Sequence, residues 1–347
     1  LLQSCCGTAP GTGGGVTASN VVVPTPFNTS APAITQALGR GINVGNELDA
    51  EPNGEGSWTG GVTIQQSWFD DYTNAGFSSV RIPVTWGYCN GGNPPVIGTQ
   101  YIINTTYMAR VKQVVDWALS RNLYVVLNCH HEDWLYPNYT GGMTNFTNIW
   151  QQIATEFASE SSHLVFEVLN EPQGNMSNAQ VNDMNTNVLA IIRGSGGNNA
   201  TRWVIVGADS YNAFNRLTES SFSIPNDGAT PHLIANFHYY NPWNFCGMTE
   251  GTWGMSMDKQ SLLNDLSSVR NWANNNGNIP VYMGEYGAAD GCNLTSRWAW
   301  YDTISADANN LGFAYAAWDD FGSDPTSFQI FHRTLGTFDQ NILNGIF

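Results

Sequence analysis

The sequence predicts an α/β protein, a single closed (β/α)8 TIM barrel, on three observations. Eight short apolar runs recur between Gly41 and Trp318. Stretches with helical spacing separate them, in repeats of about 40 residues, as a series of βα units requires. Polar and aromatic residues gather just after the runs, at the strand ends where barrel enzymes collect catalytic groups. The 347 residues suffice for such a barrel, which needs roughly 250. A doubly wound open sheet is the alternative, but no GxGxxG loop follows the first run.

The central run is Leu164–Leu169, followed by Asn170-Glu171-Pro172. Its length and its Val, Leu and Phe content suit a buried parallel strand. Pro172 has no N–H for a ladder, so pairing stops and Asn170 and Glu171 fall at the strand's C-terminal tip. The plainer reading is a turn leading into a helix, with Glu171 near its N-terminus. A matching tip, Gly284-Glu285-Tyr286, follows the seventh run.

Residues 1–33 are rich in Gly, Thr and Pro and read as an N-terminal arm or linker, with the barrel domain over 34–347. The predicted strands are Gly41–Gly45, Val80–Trp86, Leu123–Cys129, Leu164–Leu169, Trp203–Gly207, Leu233–His238, Pro280–Glu285 and Phe313–Trp318. The predicted helices lie near Ile64–Asn74, Thr105–Ser120, Asn145–Ala158, Asn178–Arg193, Ala213–Glu219, Lys259–Asn275, Ser296–Asn310 and Leu335–Leu343. The second is the clearest: Met108, Val111, Val115 and Leu119 form one face, off which Arg110, Lys112 and Gln113 fall.

The net charge is −16, with no Lys/Arg cluster, which argues against nucleic acid and anionic membrane surfaces as partners. No apolar run approaches the ~20 residues that span a bilayer. A signal peptide is either absent or already removed. The two lysines, Lys112 and Lys259, fall in predicted helices, so a Schiff-base barrel enzyme is not supported. Abundant Trp and Tyr suit a neutral ligand with apolar faces.

Six cysteines occur without a CxxC pair, and Asn-x-Ser/Thr sequons begin at Asn28, Asn104, Asn138, Asn145, Asn175, Asn199 and Asn293. Together they favour a secreted, extracellular glycoprotein with disulfide bonds. Cys246 and Cys292 follow neighbouring strands on one face of the barrel and are the expected pair. Cys89 and Cys129 are a second candidate pair, for which Cys5 or Cys6 of the arm competes.

The strand tips carry Asn46-Glu47-Leu48-Asp49, Arg81 and Trp86, His130-His131-Glu132-Asp133-Trp134, Asn170-Glu171, His238-Tyr239-Tyr240, Glu285 and Trp318-Asp319-Asp320. A barrel brings all of these to one mouth, where Glu171 and Glu285 can form an acid/base and nucleophile pair. Each has a plainer reading. His130-His131 could bind metal, but neighbours on a strand point to opposite sides and no HExxH spacing follows, so no metal is expected. Arg81 could be a structural ion pair. Glu167 lies inside the strand and reads as a paired structural carboxylate. Asp319 and Asp320 could merely line the rim. Of Trp58, Trp134, Trp243, Trp253 and Trp318, some belong to the core, and those outside strands suit sugar stacking. A serine nucleophile is unsupported, since no GxSxG occurs.

From about Gly39 to Phe347 the chain resembles the family 5 glycoside hydrolases, the large cellulase family. The matching stretches are GINVGNELDA, AGFSSVRIPVTW, VVLNCHHEDW, LVFEVLNEP, ANFHYYNP, VYMGEYGA and AYAAWDDF. LNEP and GEYG, in that order and separated by HYY, are the specific signal. The resemblance implies Glu171 as general acid/base and Glu285 as nucleophile. It implies that Asn170 binds the 2-hydroxyl at the cleavage site and that Arg81 and Tyr240 hold Glu285. His238 would contact Glu171, His130 the same sugar, and Trp318 would be its platform. Asn46, Asp49 and His131 would be further substrate contacts. Arg81 should keep Glu285 ionised, and apolar walls should raise Glu171. The chain departs from the family at Glu47, where close relatives carry a small residue, and in the arm.

The implied activity is that of a retaining endo-β-1,4-glucanase acting on β-glucan, without cofactor and as a monomer. An endo-β-1,4-mannanase or dual enzyme is the alternative within the class, and an inactive polysaccharide-binding barrel the alternative outside it. Retention requires the two carboxyl groups to lie about 5 Å apart.

Overall fold

The computed structural model describes residues 25–347. The first 24 residues of the expected arm, with Cys5 and Cys6, lie outside the described residues. Eight parallel strands close in sequence order: β1 (Arg40–Asn43), β2 (Ser79–Ile82), β3 (Tyr124–Asn128), β4 (Leu164–Glu167), β5 (Val204–Gly207), β6 (Leu233–Tyr239), β7 (Val281–Tyr286) and β8 (Ala314–Ala317). Each lies within an expected run or overlaps it by most of its length. Long helices pack outside: α2 (Gln66–Ala75), α3 (Thr105–Leu119), α4 (Tyr139–Glu156), α5 (Asn178–Gly194), α9 (Ser256–Asn275) and α10 (Leu294–Asn310). Shorter pieces are α1 (Ala33–Leu38), α6 (Asp209–Asn212), α7 (Phe214–Leu217), α8 (Trp243–Cys246), α11 (Gln340–Ile346) and the hairpin strands β9 (Phe331–His332) and β10 (Thr337–Phe338).

Three helix expectations are corrected. The connection from β5 to β6 has only the single turns α6 and α7 in place of a helix over Ala213–Glu219. The last helix starts at Gln340, because Thr337 and Phe338 pair with His332 and Phe331 in an antiparallel hairpin. On α3 the fully buried stripe is Val111, Val114, Val115 and Ala118, with Met108 and Leu119 at its half-buried edges. Asn104 begins that helix by accepting from the N–H groups of Thr106 and Tyr107.

Strand alternation sorts the barrel into layers. Val126, Val165, Ile205, Ile234, Tyr282, Ala314 and Ala316 form one apolar cluster with Ile34 and Leu38 of α1, which plugs the lower end. Two residues further along the strands come Asn43, Arg81, Asn128, Glu167 and Asn236, all buried and all polar. An apolar floor thus carries a polar storey facing the C-terminal mouth. The register slips by one residue between Phe237 and His238 where β6 meets β7, so that His238 lies opposite Glu285. Such bulges re-aim side chains beside active sites. Below the floor, Thr25 donates its N–H to the Phe347 carbonyl at 2.7 Å, and Arg40 Nη2 donates to the Thr25 carbonyl at 2.8 Å.

The cysteine pairing and two of the seven sequons are also corrected. Cys89, Cys129, Cys246 and Cys292 are free thiols. The expected Cys246–Cys292 bond is not formed, because Cys292 turns its Sγ to the Phe245 carbonyl at 3.0 Å. Cys129 is enclosed in the shell between barrel and helices, and the Cys89 sulfur lies 3.4 Å from the Tyr101 hydroxyl. Asn145 and Asn199 are buried with their amide groups bonded inside the fold, so neither is open to a glycan. Among the described residues no helix is long and apolar enough to cross a membrane.

Candidate active site

The polar storey is centred on Arg81, which is fully buried. Its Nε and Nη2 fork onto Glu167 at 2.6 and 3.0 Å. Nη1 reaches Glu285 Oε1 at 2.6 Å and Asn43 Oδ1 at 2.9 Å, and Nη2 also reaches Asn170 Oδ1 at 2.8 Å. Asn236 donates to Glu167 at 2.9 Å and accepts from the Gly284 N–H at 3.1 Å. Gly284 tolerates no side chain, since a Cβ there would lie 2.7 Å from the Asn236 oxygen. One cation therefore serves two carboxylates and orients two amides. Planar guanidinium geometry makes that possible, and lysine could not reproduce it.

Above this layer a cleft of about 1050 Å³ opens, lined by His130, His131, Asn170, Glu171, His238, Tyr240, Glu285 and Trp318 among others. Oxygen atoms of Glu171 and Glu285 and a nitrogen of His238 all lie within 4.8 Å of one another. His238 Nδ1 is 2.8 Å from Glu171 Oε1 and 3.6 Å from Glu285 Oε2. The Tyr240 hydroxyl donates to Glu285 Oε2 at 2.9 Å. Glu171 is held at φ 43°, in the left-handed region that a non-glycine residue enters at a cost.

Burial pushes the Glu171 carboxyl up to about 7, with Arg81 opposing and the Glu167 charge adding to the rise. Burial also raises Glu285, but His238 and Arg81 pull against it and the shift is smaller. Arg81 opposes the rise at Glu285, as expected, while sharing its guanidinium with Glu167. Burial lowers His238 to about 4. A neutral imidazole carries one proton. The network assigns it to Nδ1, facing the glutamates, while Nε2 lies 3.4 Å from the Asn236 amide nitrogen and can accept from it.

Trp318 and His130 lie with their rings parallel to within 4°, centroids 5.8 Å apart. A Cβ on Gly45 would meet the Trp318 ring at 2.7 Å, so this close approach requires glycine. Behind Trp318, Arg333 donates to Glu47 Oε1 at 2.8 Å, Asp319 Oδ1 at 2.7 Å and the Gly45 carbonyl at 2.8 Å. That bridge ties the loop after β1 to the loop after β8. Glu47, Asp319 and Arg333 are therefore structural, and Asp320 caps the loop through the N–H groups of Gly322 and Phe328.

Three expected substrate contacts do not reach the cleft wall. Arg81 lies beneath it. Asp49 is fully buried and accepts from the N–H groups of Asn46 and Glu47, with His131 Nε2 3.8 Å away. Asn46 is half-buried at φ 61° and turns the chain around Asp49. Trp134 and Trp253 are core, whereas Trp58 is exposed beside His131 and Trp243 lines the cleft. Asp49, His130 and His131 also bring donor atoms within 4.8 Å of one another, but the Asp49 oxygens already accept two backbone N–H groups.

Sequence reading missed Asn43 and Asn236, though a polar residue inside an apolar run was the available signal. It also missed Ser210, Tyr211, Phe214 and Asn215, which the loop after β5 adds to the cleft. Nothing in their local sequence announces that conformation.

The chain matches the family model "Cellulase (glycosyl hydrolase family 5)" over residues 41–322. It is 40% identical over 330 residues to Endoglucanase H of Acetivibrio thermocellus, covering 93% of this chain and 35% of that protein. It is 32% identical over 346 residues to Endoglucanase A of Clostridium longisporum, covering 92% and 64%. The chain thus spans about a third of the first relative and under two thirds of the second. Among solved structures, Thermotoga maritima Cel5A in complex with mannotriose superposes with a TM-score of 0.80 at 30% identity, over 90% of this chain and 98% of that one. On the matched motifs, the barrel and the glutamate pair at its mouth, the chain belongs to glycosyl hydrolase family 5.

Proposed function

We propose that the protein is a retaining endo-β-1,4-glucanase that cuts internal bonds of cellulose or related β-glucans by double displacement. The observation that carries this is the approach of Glu171 and Glu285 to within 4.8 Å across the cleft, in unequal company. A pair this close has no room for a water between carboxylate and sugar, which favours retention.

In the first step Glu285 attacks the anomeric carbon. The C–O bond to the departing sugar breaks, its electron pair stays on that oxygen, and the oxygen takes the proton of Glu171. The Tyr240 hydroxyl and Arg81 Nη1 hold the two Glu285 oxygens, which fixes the attacking geometry. Asn170 presents its amide nitrogen to the 2-hydroxyl, because its oxygen is taken by Arg81. Forming the glycosyl ester removes the charge of Glu285. Glu171, now ionised, then takes a proton from water, which attacks the same carbon and frees Glu285. His130, His131 and Trp318 form the wall for the attacked sugar, with Trp318 as its stacking platform.

The catalytic unit is residues 34–347, with 1–33 as an arm, and the enzyme works outside the cell as a monomer. The mannotriose complex of the Thermotoga protein supports mannan as a second backbone. Reducing-sugar release from carboxymethyl-cellulose, glucomannan and mannan, measured in parallel, tests the reading. The expected result is release from carboxymethyl-cellulose, with the β anomer formed first by proton NMR. An α anomer formed first, or mannan cleaved in the absence of glucan cleavage, sinks it.

A further inference from the structure

His238 meets unlike company at its two ring nitrogens. Nδ1 lies 2.8 Å from Glu171 Oε1 and 3.6 Å from Glu285 Oε2, both acceptors when ionised. Nε2 lies 3.4 Å from the Asn236 amide nitrogen, a donor. Glu171 and Glu167 surround the ring from the β4 side, Glu285 from β7, Arg81 from β2 and His130 from the end of β3. The donor at Nε2 comes from Asn236.

Asn236 is built to make that contact. It stands two residues before His238 on β6, so both side chains take the inward face, and both residues are buried. Its amide is held from both ends. Gly284 is the residue that the register between β6 and β7 skips, and its N–H donates to Asn236 Oδ1 at 3.1 Å. Asn236 Nδ2 donates to Glu167 Oε1 at 2.9 Å. A flipped amide would set its NH2 against the Gly284 N–H and its oxygen against a carboxylate. The second hydrogen of Nδ2 is left for His238 Nε2. Gly284 also leaves the room for this meeting. A Cβ there would lie 3.2 Å from the amide nitrogen and 3.2 Å from Nε2.

We propose that Asn236 is a positioning residue for the proton of Glu171: through the tautomer of His238 it sets which carboxyl oxygen carries that proton and supplies a donor to the carboxylate once the proton has left. This rests on the glucanase reading above. Nδ1–H donates to Glu171 Oε1, so the acid proton sits on Oε2, clear of the imidazole. As the leaving oxygen takes that proton, Glu171 gains charge, and the bond from Nδ1–H becomes charge-assisted and stronger. An interaction that grows towards the transition state accelerates the step. The opposite tautomer offers Glu171 a bare nitrogen. The acid proton would then turn to Nδ1 and away from the sugar, and the new carboxylate would face a lone pair.

Spectra of protein labelled with 15N-histidine read the tautomer directly, with the His238 signal identified by its loss in His238→Gln. In the wild type at neutral pH the proton should sit on Nδ1. Asn236→Asp keeps the shape but offers Nε2 an acceptor, and the proton should move to Nε2. The kinetic arm compares cellopentaose with dinitrophenyl cellobioside, whose leaving group needs no proton. In Asn236→Asp, kcat/KM should fall about ten- to hundredfold further on cellopentaose than on the cellobioside, the range to which a hydrogen bond to a charged group converts. Asn236→Ala removes the donor without adding charge beside Glu167 and should show the same selectivity to a smaller degree. A loss of packing alone lowers both substrates alike. A wild-type proton on Nε2 overturns the proposal whatever the stability of the variants, and so do equal losses on the two substrates. Either result leaves the glucanase reading intact. A wild-type protein inert to both substrates would overturn that reading, and the role of Asn236 with it.

Discussion

Nη1 of Arg81 lies 2.6 Å from Oε1 of Glu285, although the rest of the same guanidinium faces another carboxylate. The cation is divided, and Glu167 takes the Nε edge and part of Nη2 while the proposed nucleophile is left with Nη1. Glu167 is 1% exposed and touches neither the cleft nor the proposed substrate. Its link to the proposed nucleophile runs through Arg81.

Glu167→Gln tests that division. The uncharged amide should leave more of Arg81 for Glu285 and favour its ionised form. The acid limb of the kcat/KM profile should move to lower pH. Stability should fall by about 1–3 kcal/mol, because Arg81, Asn128 and Asn236 all donate towards this carboxylate and one donor would face the new NH2 group. An acid limb that moves to higher pH in the variant would show that Glu167 does not compete for the cation.

In the proposed mechanism Glu171 holds its proton for the first step, and burial pushes its folded value up to about 7. The acid form is complete well below that value and lost above it, so kcat/KM should decline as pH rises through about 7. His238 donates Nδ1–H to Glu171, a contact that favours the carboxylate. His238→Ala should therefore shift the alkaline limb upward while lowering the rate. A limb unmoved by His238→Ala, measured on the same substrate, counts against this coupling.

Arg333 is fully buried between Glu47 and Asp319, also fully buried. Burial outweighs the bridge at Glu47 and pushes its carboxyl up to about 8. Replacing Arg333 with Met strands two buried acids, a loss of about 3–5 kcal/mol. Urea unfolding at neutral pH measures it directly. A loss below about 1 kcal/mol, typical of exposed pairs, would mean that the triad is not the brace its burial implies.

The barrel was legible because buried parallel strands are near-continuous apolar runs and each ends at a punctuating polar tip. Leu164–Glu171 and Val281–Glu285 show both features in a few residues. The pairing of Arg81 with Glu167 was half legible. A carboxylate inside a strand demands a partner, but periodicity does not say which strand supplies it. Asp49 was misplaced because a polar tip residue reads alike whether it faces sugar or caps its own loop. Tyr211 was invisible because tertiary clamps, not local propensity, force its turn into the left-handed region. The Cys246–Cys292 expectation failed because adjacency in strand order does not fix where a thiol points.

The division of labour between the glutamates makes the sharpest prediction, because their surroundings differ in kind. Arg81 and Tyr240 grip Glu285 at both oxygens, which suits an attacking carboxylate. Glu171 keeps a quarter of its side chain open to the cleft and touches His238, which suits a group that gives up a proton and recovers it. Glu285→Ala removes the only attacking atom and should abolish activity whatever the leaving group. Glu171→Ala removes protonation of the leaving oxygen and should cost about 10²–10⁴-fold on polysaccharide. A dinitrophenyl cellobioside leaves without that proton, so its first step should be nearly spared. The glycosyl-enzyme then accumulates, since no base activates water. Azide needs no base and should restore turnover, giving β-cellobiosyl azide after two inversions at the anomeric carbon. Recovery of the β-azide from Glu285→Ala, with Glu171→Ala refractory, would reverse the roles. Full activity in both variants would place the chemistry elsewhere on the barrel.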